Sequence, residues 1–476
     1  MRFFNSLGHR LEEFRPIHEN TVGMYTCGPT VYNYAHIGNF RCYLFEDLLR
    51  RTLEYHGYKV TQVMNLTDVD DKTIRDSKAA GIPLRDFTRK YKDAFFEDVK
   101  TLRIEPATYY PEATTHIPEM QEMIRTLFDK GYAYQSSDGS VYFSIARFPQ
   151  YGQLAKIDMT QQRIGERIRS DEYAKDSVAD FALWKAWDEN DGDVKWDSPW
   201  GPGRPGWHLE CSAMSQKYLG KTFDLHTGGI DNMFPHHEDE IAQSEAANGC
   251  RFVNYWMHCE HLTVNRQKMS KSLGNFYTMR DLLAKGYTGQ EIRWALIGTH
   301  YRSKLNFDIG SLDQSRARLR KFAELFRRLA ETSGTDEGLE QAKTLAADAK
   351  EKFGSAFGED LNVAEALAEV FKFTREVKTA LAGNAYGRNA ANVILDQYRD
   401  FDRILASLDV DAALAAAPET APAEADVPAE ILELVRKRTE AKKAKDFKTA
   451  DEIRDTLKAG GWIVEDSPSG PRIHKA

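Results

Sequence analysis

Three stretches of this sequence concentrate side chains that can handle phosphate or hold a metal ion. The first is His36-Ile37-Gly38-Asn39, which stands between an apolar run and a helical pattern. Gly38 lets a ligand approach the backbone closely, and a helix N-terminus presents free N–H groups that suit phosphate. His36 can donate to an oxygen on which charge develops, although a histidine before a helix is more often a local cap. The second is Lys268-Met269-Ser270-Lys271-Ser272, followed by Leu273-Gly274-Asn275. Its two lysines can clamp a pyrophosphate leaving group and its hydroxyls add donors; the ordinary counterpart is a solvated charged loop. Both segments in one chain, in this order, reinforce each other.

The third stretch is Phe234-Pro235-His236-His237-Glu238-Asp239-Glu240, which reads as a helix start with Pro235 in its first turn. His236 and Glu240 share one helical face and can bind one ion, while His237 points elsewhere. Cys27 and Cys211 supply thiolates, and two sulfurs, an imidazole and a carboxylate suit tetrahedral zinc. Spacing alone leaves the set open. Cys42, Cys250, Cys259, His208 and His237 are rivals, and a buried cysteine is usually a small apolar residue.

Elements must bring these segments together. Val22–Cys27 reads as a strand. A helix follows, with Leu44, Phe45, Leu48, Leu49 and Leu53 at mostly three- and four-residue spacing and Gly57 at its end. Lys59–Asn65 reads as a second strand, which makes a βαβ unit of a parallel sheet. Residues 115–205 look like an insertion, with a helix near Met120–Lys130 and a hairpin at Tyr134–Ser144 around Asp138-Gly139. The α/β pattern resumes near Thr222–Thr227. Residues 311–408 are strongly helical, with Leu319, Phe322, Leu325, Phe326 and Leu329 in one stripe. Residues 409–428 read as an Ala/Pro/Glu-rich flexible linker. Two helices, from Ala429 and over Phe447–Lys458, and a hairpin at Trp462–Ile473 complete the chain.

The length of 476 residues exceeds one ordinary core, and 42% hydrophobic with 29% charged residues is a soluble globular composition. The opening MRFFNSLGHR predicts no secretory leader, and no long apolar window predicts a membrane span, so a cytoplasmic protein is expected. Five scattered cysteines make no disulfide framework. A formal charge of −8 gives no global attraction to nucleic acid, so RNA contact must rely on local basic patches. Arg436–Lys448 is such a patch, with Trp462 the aromatic expected to stack on an unpaired base.

The two phosphate segments together resemble the signature motifs of class I aminoacyl-tRNA synthetases. Cys27-Gly28-Pro29-Thr30-Val31-Tyr32, Ser198-Pro199-Trp200-Gly201 through Gly206-Trp207-His208-Leu209-Glu210-Cys211-Ser212, and Phe234-Pro235-His236-His237-Glu238 resemble the cysteinyl-tRNA synthetases. The resemblance runs over nearly the whole chain. It implies a doubly wound parallel-sheet (Rossmann-type) catalytic domain with an insertion, an α-helical bundle and a small C-terminal module. The implied boundaries are 1–115 and 206–262 for the catalytic halves, 116–205 for the inserted domain and 263–310 for the linking subdomain with the lysine loop. The bundle is then 311–408, the linker 409–428 and the anticodon-binding module 429–476.

The resemblance further implies an ATP-dependent cysteine–tRNA ligase that makes cysteinyl-adenylate and charges tRNA-Cys. Zinc, one per chain, is implied on Cys27, Cys211, His236 and Glu240, selecting cysteine over serine without an editing domain. His36, Asn39, Lys268 and Lys271 are the implied catalytic groups. Gly38, Met269, Ser270 and Ser272 join them around ATP, which brings Mg2+. Thr67, Trp207, His226 and Asp231 are the implied substrate neighbours, and a monomer with no membrane contact is expected. Three positions depart from the family pattern. Asn39 stands where the class motif commonly ends in histidine, Thr227 where glycine is frequent, and Gly470-Pro471-Arg472-Ile473 where the last hairpin often has Gly-Thr-x-Trp. Two other readings remain. One is a cysteine ligase for an amino-sugar acceptor, whose known members lack the complete terminal module; the other is a non-catalytic tRNA-binding paralogue, in which eroded motifs are expected.

Overall fold

Helix periodicity and strand runs place the first βαβ unit within a residue or two of its position in the computed structural model, which describes residues 1–157, 180–270, 273–416, 427–444, 446–467 and 470–475. After a hairpin of β1 (Arg2–Asn5) and β2 (Arg10–Glu13) come β3 (Thr21–Thr26), α1 (Ile37–Tyr55) and β4 (Lys59–Met64). Helix α1 buries Phe40, Leu44, Phe45, Leu48, Leu49 and Leu53, as its spacing requires. Gly57, at φ 92°, turns the chain into β4.

Later in the chain β9 (Phe223–Gly229) and β10 (Val253–Cys259) complete a four-stranded, all-parallel sheet in the order β10-β9-β3-β4. Strands β3 and β9 are neighbours although the insertion separates them in sequence. The chain changes direction across the sheet at this junction, and a doubly wound sheet binds its ligand there, beyond the carboxyl ends of the strands.

Between the halves lie α2 (Asp71–Ala80), α3 (Leu84–Thr101) and α4 (Ile117–Asp129). An antiparallel sheet of β5 (Ala133–Gln135), β6 (Val141–Phe143), β7 (Phe181–Ala186) and β8 (Gly203–Pro205) follows. The expected hairpin is β5–β6. Strand β7 was not foreseen, because its run Phe181-Ala182-Leu183-Trp184 is buried on both faces and shows no alternation. Val141, Phe143, Leu183 and Trp184 pack in one cluster with Tyr25, Val63 and Leu209, so the inserted sheet and the parallel sheet share a core. Helices α5 (Trp207–Leu219) and α6 (Glu238–Asn248) flank β9 in sequence.

After β10, strands β11 (Leu262–Val264), β12 (Gln267–Lys268) and β13 (Leu305–Phe307) form a small sheet ordered β12-β11-β13, with α7 (Met279–Ala284) and α8 (Gly289–Ile297) before β13. Helices α9 (Ile309–Ala330), α10 (Leu339–Gly358), α11 (Val363–Ala382) and α12 (Arg388–Leu405) then pack together, with Phe322, Leu325, Phe326 and Leu329 buried. Arg293 on α8, fully buried, joins three helices. It pairs with Asp47 of α1 at 2.6 Å and donates to Leu405 O at 2.6 Å and Leu102 O at 3.1 Å, at the ends of α12 and α3.

The chain divides into compact units Met1–Val410 and Asp411–Ala476. Helix α13 (Val410–Ala415) begins at that boundary. The second unit contains α14 (Ala429–Lys443), α15 (Phe447–Ala459) and an antiparallel pair of β14 (Trp462–Ser467) and β15 (Gly470–Lys475). Trp462 packs with Val435, Leu457 and Val464 as core, which corrects its expected role as an exposed stacking platform. A module this small has few large apolar groups to bury, and its one tryptophan serves the interior.

Candidate metal centre and adenylate site

The end of β3 carries Cys27 to the carboxyl edge of the sheet, where its N–H donates to Thr227 O of β9 at 3.3 Å. Helix α5 presents Cys211, the turn at Met233–His237 presents His236 and His237, and the first turn of α6 presents Glu240. Donor atoms of Cys27, His236, His237 and Glu240 all lie within 4.8 Å of one another, and all four residues are buried. Cys211 stands next to this group, with its Sγ 3.5 Å from His236 Nε2. His236 Nε2 is 3.0 Å from Glu240 Oε1.

His237 does not point elsewhere. Its Nε2 lies 3.2 Å from Cys27 Sγ. The start of α6 enters the pocket, so neighbouring residues line it from two sides, His236 toward α5 and His237 toward β3. Helical spacing described the face of α6 but not which end of the helix the site occupies.

A second ring fixes these groups. His226 Nε2 is 2.9 Å from Glu240 Oε2, His237 Nδ1 is 2.8 Å from His258 Nε2, and His258 Nδ1 is 2.8 Å from Ser6 Oγ. The Trp207 ring stacks on His236 at 4.2 Å and Trp256 on His226 at 4.5 Å. His226 and His258 were not foreseen in this supporting role; their positions on adjacent parallel strands become visible only once β9 and β10 pair.

Contact with the Cys211 thiol and burial push the Cys27 thiol well above its ordinary range. Burial raises the Glu240 carboxyl to about 8 and lowers the His236 imidazole to about 3. Among the described residues the ion pairs of Glu240 are with His226 and His236 and with no lysine or arginine, and its Oε1 is buried with no well-aligned hydrogen bond. Sulfur, nitrogen and oxygen donors gathered with an orphaned carboxylate oxygen and no counter-cation fit a zinc ion.

The phosphate segments meet at the N-terminus of α1. His36 is the N-cap of α1: its Nδ1 accepts from Asn39 N–H at 3.2 Å, and Asn39 Oδ1 accepts from His36 N–H at 3.1 Å. Asparagine at position 39 therefore closes a capping box. Because Nδ1 accepts, a neutral His36 carries its proton on Nε2 and remains a donor there; burial lowers its pKa and favours that neutral form. Ile37 N–H donates to Tyr277 O at 3.0 Å, and the His36 ring meets Phe276 edge-on. A Cβ on Gly38 would stand 3.4 Å from Met269 Cε, so the two segments lie in contact. Within the loop Ser270 N–H donates to Asn275 Oδ1 at 2.8 Å, and Asn275 Nδ2 to Lys268 O at 3.2 Å. Lys268 is exposed; Lys271 and Ser272 lie outside the described residues.

The other expected neighbours are placed as follows. Thr67 is buried, donating to Glu210 Oε2 at 3.2 Å. Trp207 is exposed over the cluster, His226 stands behind Glu240, and Asp231 is exposed on the turn after β9. Thr227 is buried, with its hydroxyl donating to Glu46 Oε1 at 3.1 Å.

The fold is similar to that of Mycobacterium tuberculosis methionyl-tRNA synthetase in complex with methionyl-adenylate, with a TM-score of 0.62 and 14% identity over 83% of this chain and 92% of that one. Residues 13–317 match the family described as tRNA synthetases class I (C) catalytic domain. Fold and site thus define a class I aminoacyl-tRNA synthetase. Residues 424–471 match the cysteinyl-tRNA ligase anticodon binding domain. The chain is 48% identical to a cysteine–tRNA ligase of Protochlamydia amoebophila (strain UWE25), over 100% of this chain and 98% of the relative. It is 51% identical to one of Brachyspira hyodysenteriae (strain ATCC 49526 / WA1), over 98% of each. The chain belongs to the cysteine–tRNA ligase family.

Proposed function

We propose that this chain activates L-cysteine with ATP and esterifies it to the 3′ end of tRNA-Cys, with one zinc ion on Cys27, Cys211, His236 and Glu240. The observation that carries this reading is the buried sulfur, imidazole and carboxylate cluster at the carboxyl edge of the sheet, beside the α1 N-terminus. Zinc, when bound, accepts the substrate's thiolate and offers nothing comparable to a serine hydroxyl. Around it, His226 orients Glu240, His237 borders the thiolates, Trp207 walls the pocket, and Thr67 and Asp231 frame the amino acid's polar end. His36, Gly38 and Asn39 receive the phosphates of Mg2+-ATP at the helix N-terminus. Lys268, Met269, Ser270, Lys271 and Ser272 supply further contacts to them.

The domain reading goes with this. Residues 1–115 and 206–262 make one catalytic domain around the insert 116–205; 263–310 carries the lysine loop, 311–408 the bundle, 409–428 a linker and 429–476 the anticodon-binding module. The match over residues 424–471 favours tRNA over an amino-sugar acceptor. Every proposed ligand comes from one chain, so a monomer suffices.

Metal analysis with cysteine-dependent pyrophosphate–ATP exchange tests the reading. One zinc per chain and a preference for cysteine over serine of about 10⁴ are expected, with both lost in Cys211→Ser and Glu240→Gln. Zinc-free variants that still reject serine as wild type does would refute it. Labelled cysteine should pass to tRNA and not to glucosamine-inositol.

A further inference from the structure

Residues 236–240, in the turn into α6 and its first turn, divide between two neighbours. His236 and Glu240 enter the metal cluster, whereas Glu238 and Asp239 turn to the insertion, and both of these carboxylates are buried. Glu238 Oε1 accepts from Gly152 N–H at 2.8 Å, and its Oε2 accepts from Leu154 N–H at 2.9 Å and Ala155 N–H at 3.0 Å. Beside this strap the buried Tyr151 donates its hydroxyl to Asp239 Oδ1. The other oxygen of that carboxylate, Oδ2, is 3.3 Å from His208 Nε2, and His208 Nδ1 is 2.7 Å from His236 Nδ1. Phe181 of β7 meets the His208 ring edge-on at 5.8 Å. His236 is thereby left with its Nε2 inside the cluster, 3.0 Å from Glu240 Oε1 and 3.5 Å from Cys211 Sγ.

The protons along this chain fit in one direction. With the lone pair of Nε2 given to a metal, the neutral His236 ring carries its proton on Nδ1 and donates it to His208 Nδ1. His208 then carries its own proton on Nε2, which faces Asp239. That carboxylate accepts at both oxygens, from His208 on one side and from Tyr151 on the other. In the opposite His208 tautomer two N–H groups would face each other across 2.7 Å, and a bare lone pair would face the carboxylate.

We propose that Tyr151, Asp239 and His208 are positioning residues for the metal, holding His236 with Nε2 turned to the ion and in the tautomer that can bind it. Outer partners of this kind fix the ring and raise its basicity, and losing one costs about 10–100-fold in metal affinity or activity. The inference rests on His236 being a zinc ligand, as proposed above. It adds that retention of the ion depends on a side chain of the insertion, which touches the centre only through Asp239 and His208.

Full-length zinc-loaded protein mixed with the chelating dye pyridylazoresorcinol reports zinc release as a rate. Tyr151→Phe keeps the ring and removes one donor; His208→Phe keeps a ring beside Phe181 and removes both nitrogens. Release about tenfold faster in Tyr151→Phe and about 10–100-fold faster in His208→Phe is expected, with KM for cysteine raised and KM for ATP unchanged. Because the Tyr151 hydroxyl acts through His208, adding Tyr151→Phe to His208→Phe should leave the rate where the single change put it. Cobalt-loaded Tyr151→Phe should show an altered visible absorption, which reads ligand geometry directly. Glu238→Gln weakens the same strap without touching the chain, so it should lower the melting temperature and leave zinc release unchanged. Equal acceleration in Glu238→Gln would assign the effect to packing of the insertion and overturn the proposal. Additive effects of Tyr151→Phe and His208→Phe would overturn it too, as would wild-type release from both single variants. A wild type that holds no zinc would instead remove the ligand set itself, and this inference with it.

Discussion

Replacing Arg293 with methionine should be among the most damaging single changes outside the metal centre. Methionine keeps an unbranched stem in the space and removes every donor of the guanidinium. Five contacts go at once, the longer bonds to Arg103 O and Ile404 O together with three close ones: the 2.6 Å pair with Asp47, the 2.6 Å bond to Leu405 O and the 3.1 Å bond to Leu102 O. The last two cap helix ends whose carbonyls have few other donors. Asp47 retains Arg51 at 2.8 Å and the Glu105 N–H at 2.8 Å, so its charge is weakened in support but not stranded. Breaking a buried pair costs about 3–5 kcal/mol. Native-state hydrogen exchange in α12 and the C-terminal half of α1 should therefore quicken by roughly two to four orders of magnitude. Burial raises the Asp47 carboxyl, but Arg293 and Arg51 outweigh that and hold it below its usual range. Its contribution is thus present above pH ~4 and lost on acidification in the wild type, whereas in the variant the carboxyl moves up. The difference between the two proteins should be largest at neutral pH and shrink as pH falls through ~4. An acceleration under tenfold, or a difference that widens in acid, would refute this account.

Three other outcomes follow from the geometry. Gly28→Ala would put a Cβ 1.8 Å from Asn65 O, so the loop carrying Cys27 must shift; zinc occupancy should fall and stability drop by about 2 kcal/mol or more, read by metal analysis and urea unfolding. Trp207→Ala removes the ring stacked on His236, and steady-state kinetics should show KM for cysteine up ~10-fold with kcat nearly unchanged. Chelation of the metal should lower the melting temperature of the first unit by several degrees and abolish cysteine-dependent exchange, with both restored by added zinc.

How far the sequence predicts this structure depends on whether a signal is local. Helix α1, the helices over 309–405 and the terminal helices were legible because each carries its own periodic apolar face. The β5–β6 hairpin was legible from its Asp138-Gly139 turn. Strand β7, buried on both faces, had no alternation to read, and neither α2 nor α3 was anticipated. The gathering of Cys27, Cys211, His236 and Glu240 came from family resemblance; spacing could not choose between them and the five rivals Cys42, Cys250, Cys259, His208 and His237. His237 was set aside by the right rule applied to the wrong geometry, since the rule describes a helix seen from its side. Trp462 shows the converse: a lone aromatic near basic residues looks exposed until its own module is seen to need a core.

The order of the proposed metal ligands along the chain has a consequence for synthesis. Cys27 leaves the ribosome long before Cys211, His236 and Glu240, and at ~5–20 residues per second the interval is roughly 10–40 s. Throughout that time the first thiol waits without its partners, and no prematurely released fragment ending before α6 can hold the ion as the finished protein does. On the proposed ligand set, loading is a late event that reports on a nearly complete catalytic half, and a cell starved of zinc would accumulate full-length but unloaded chains rather than shortened ones.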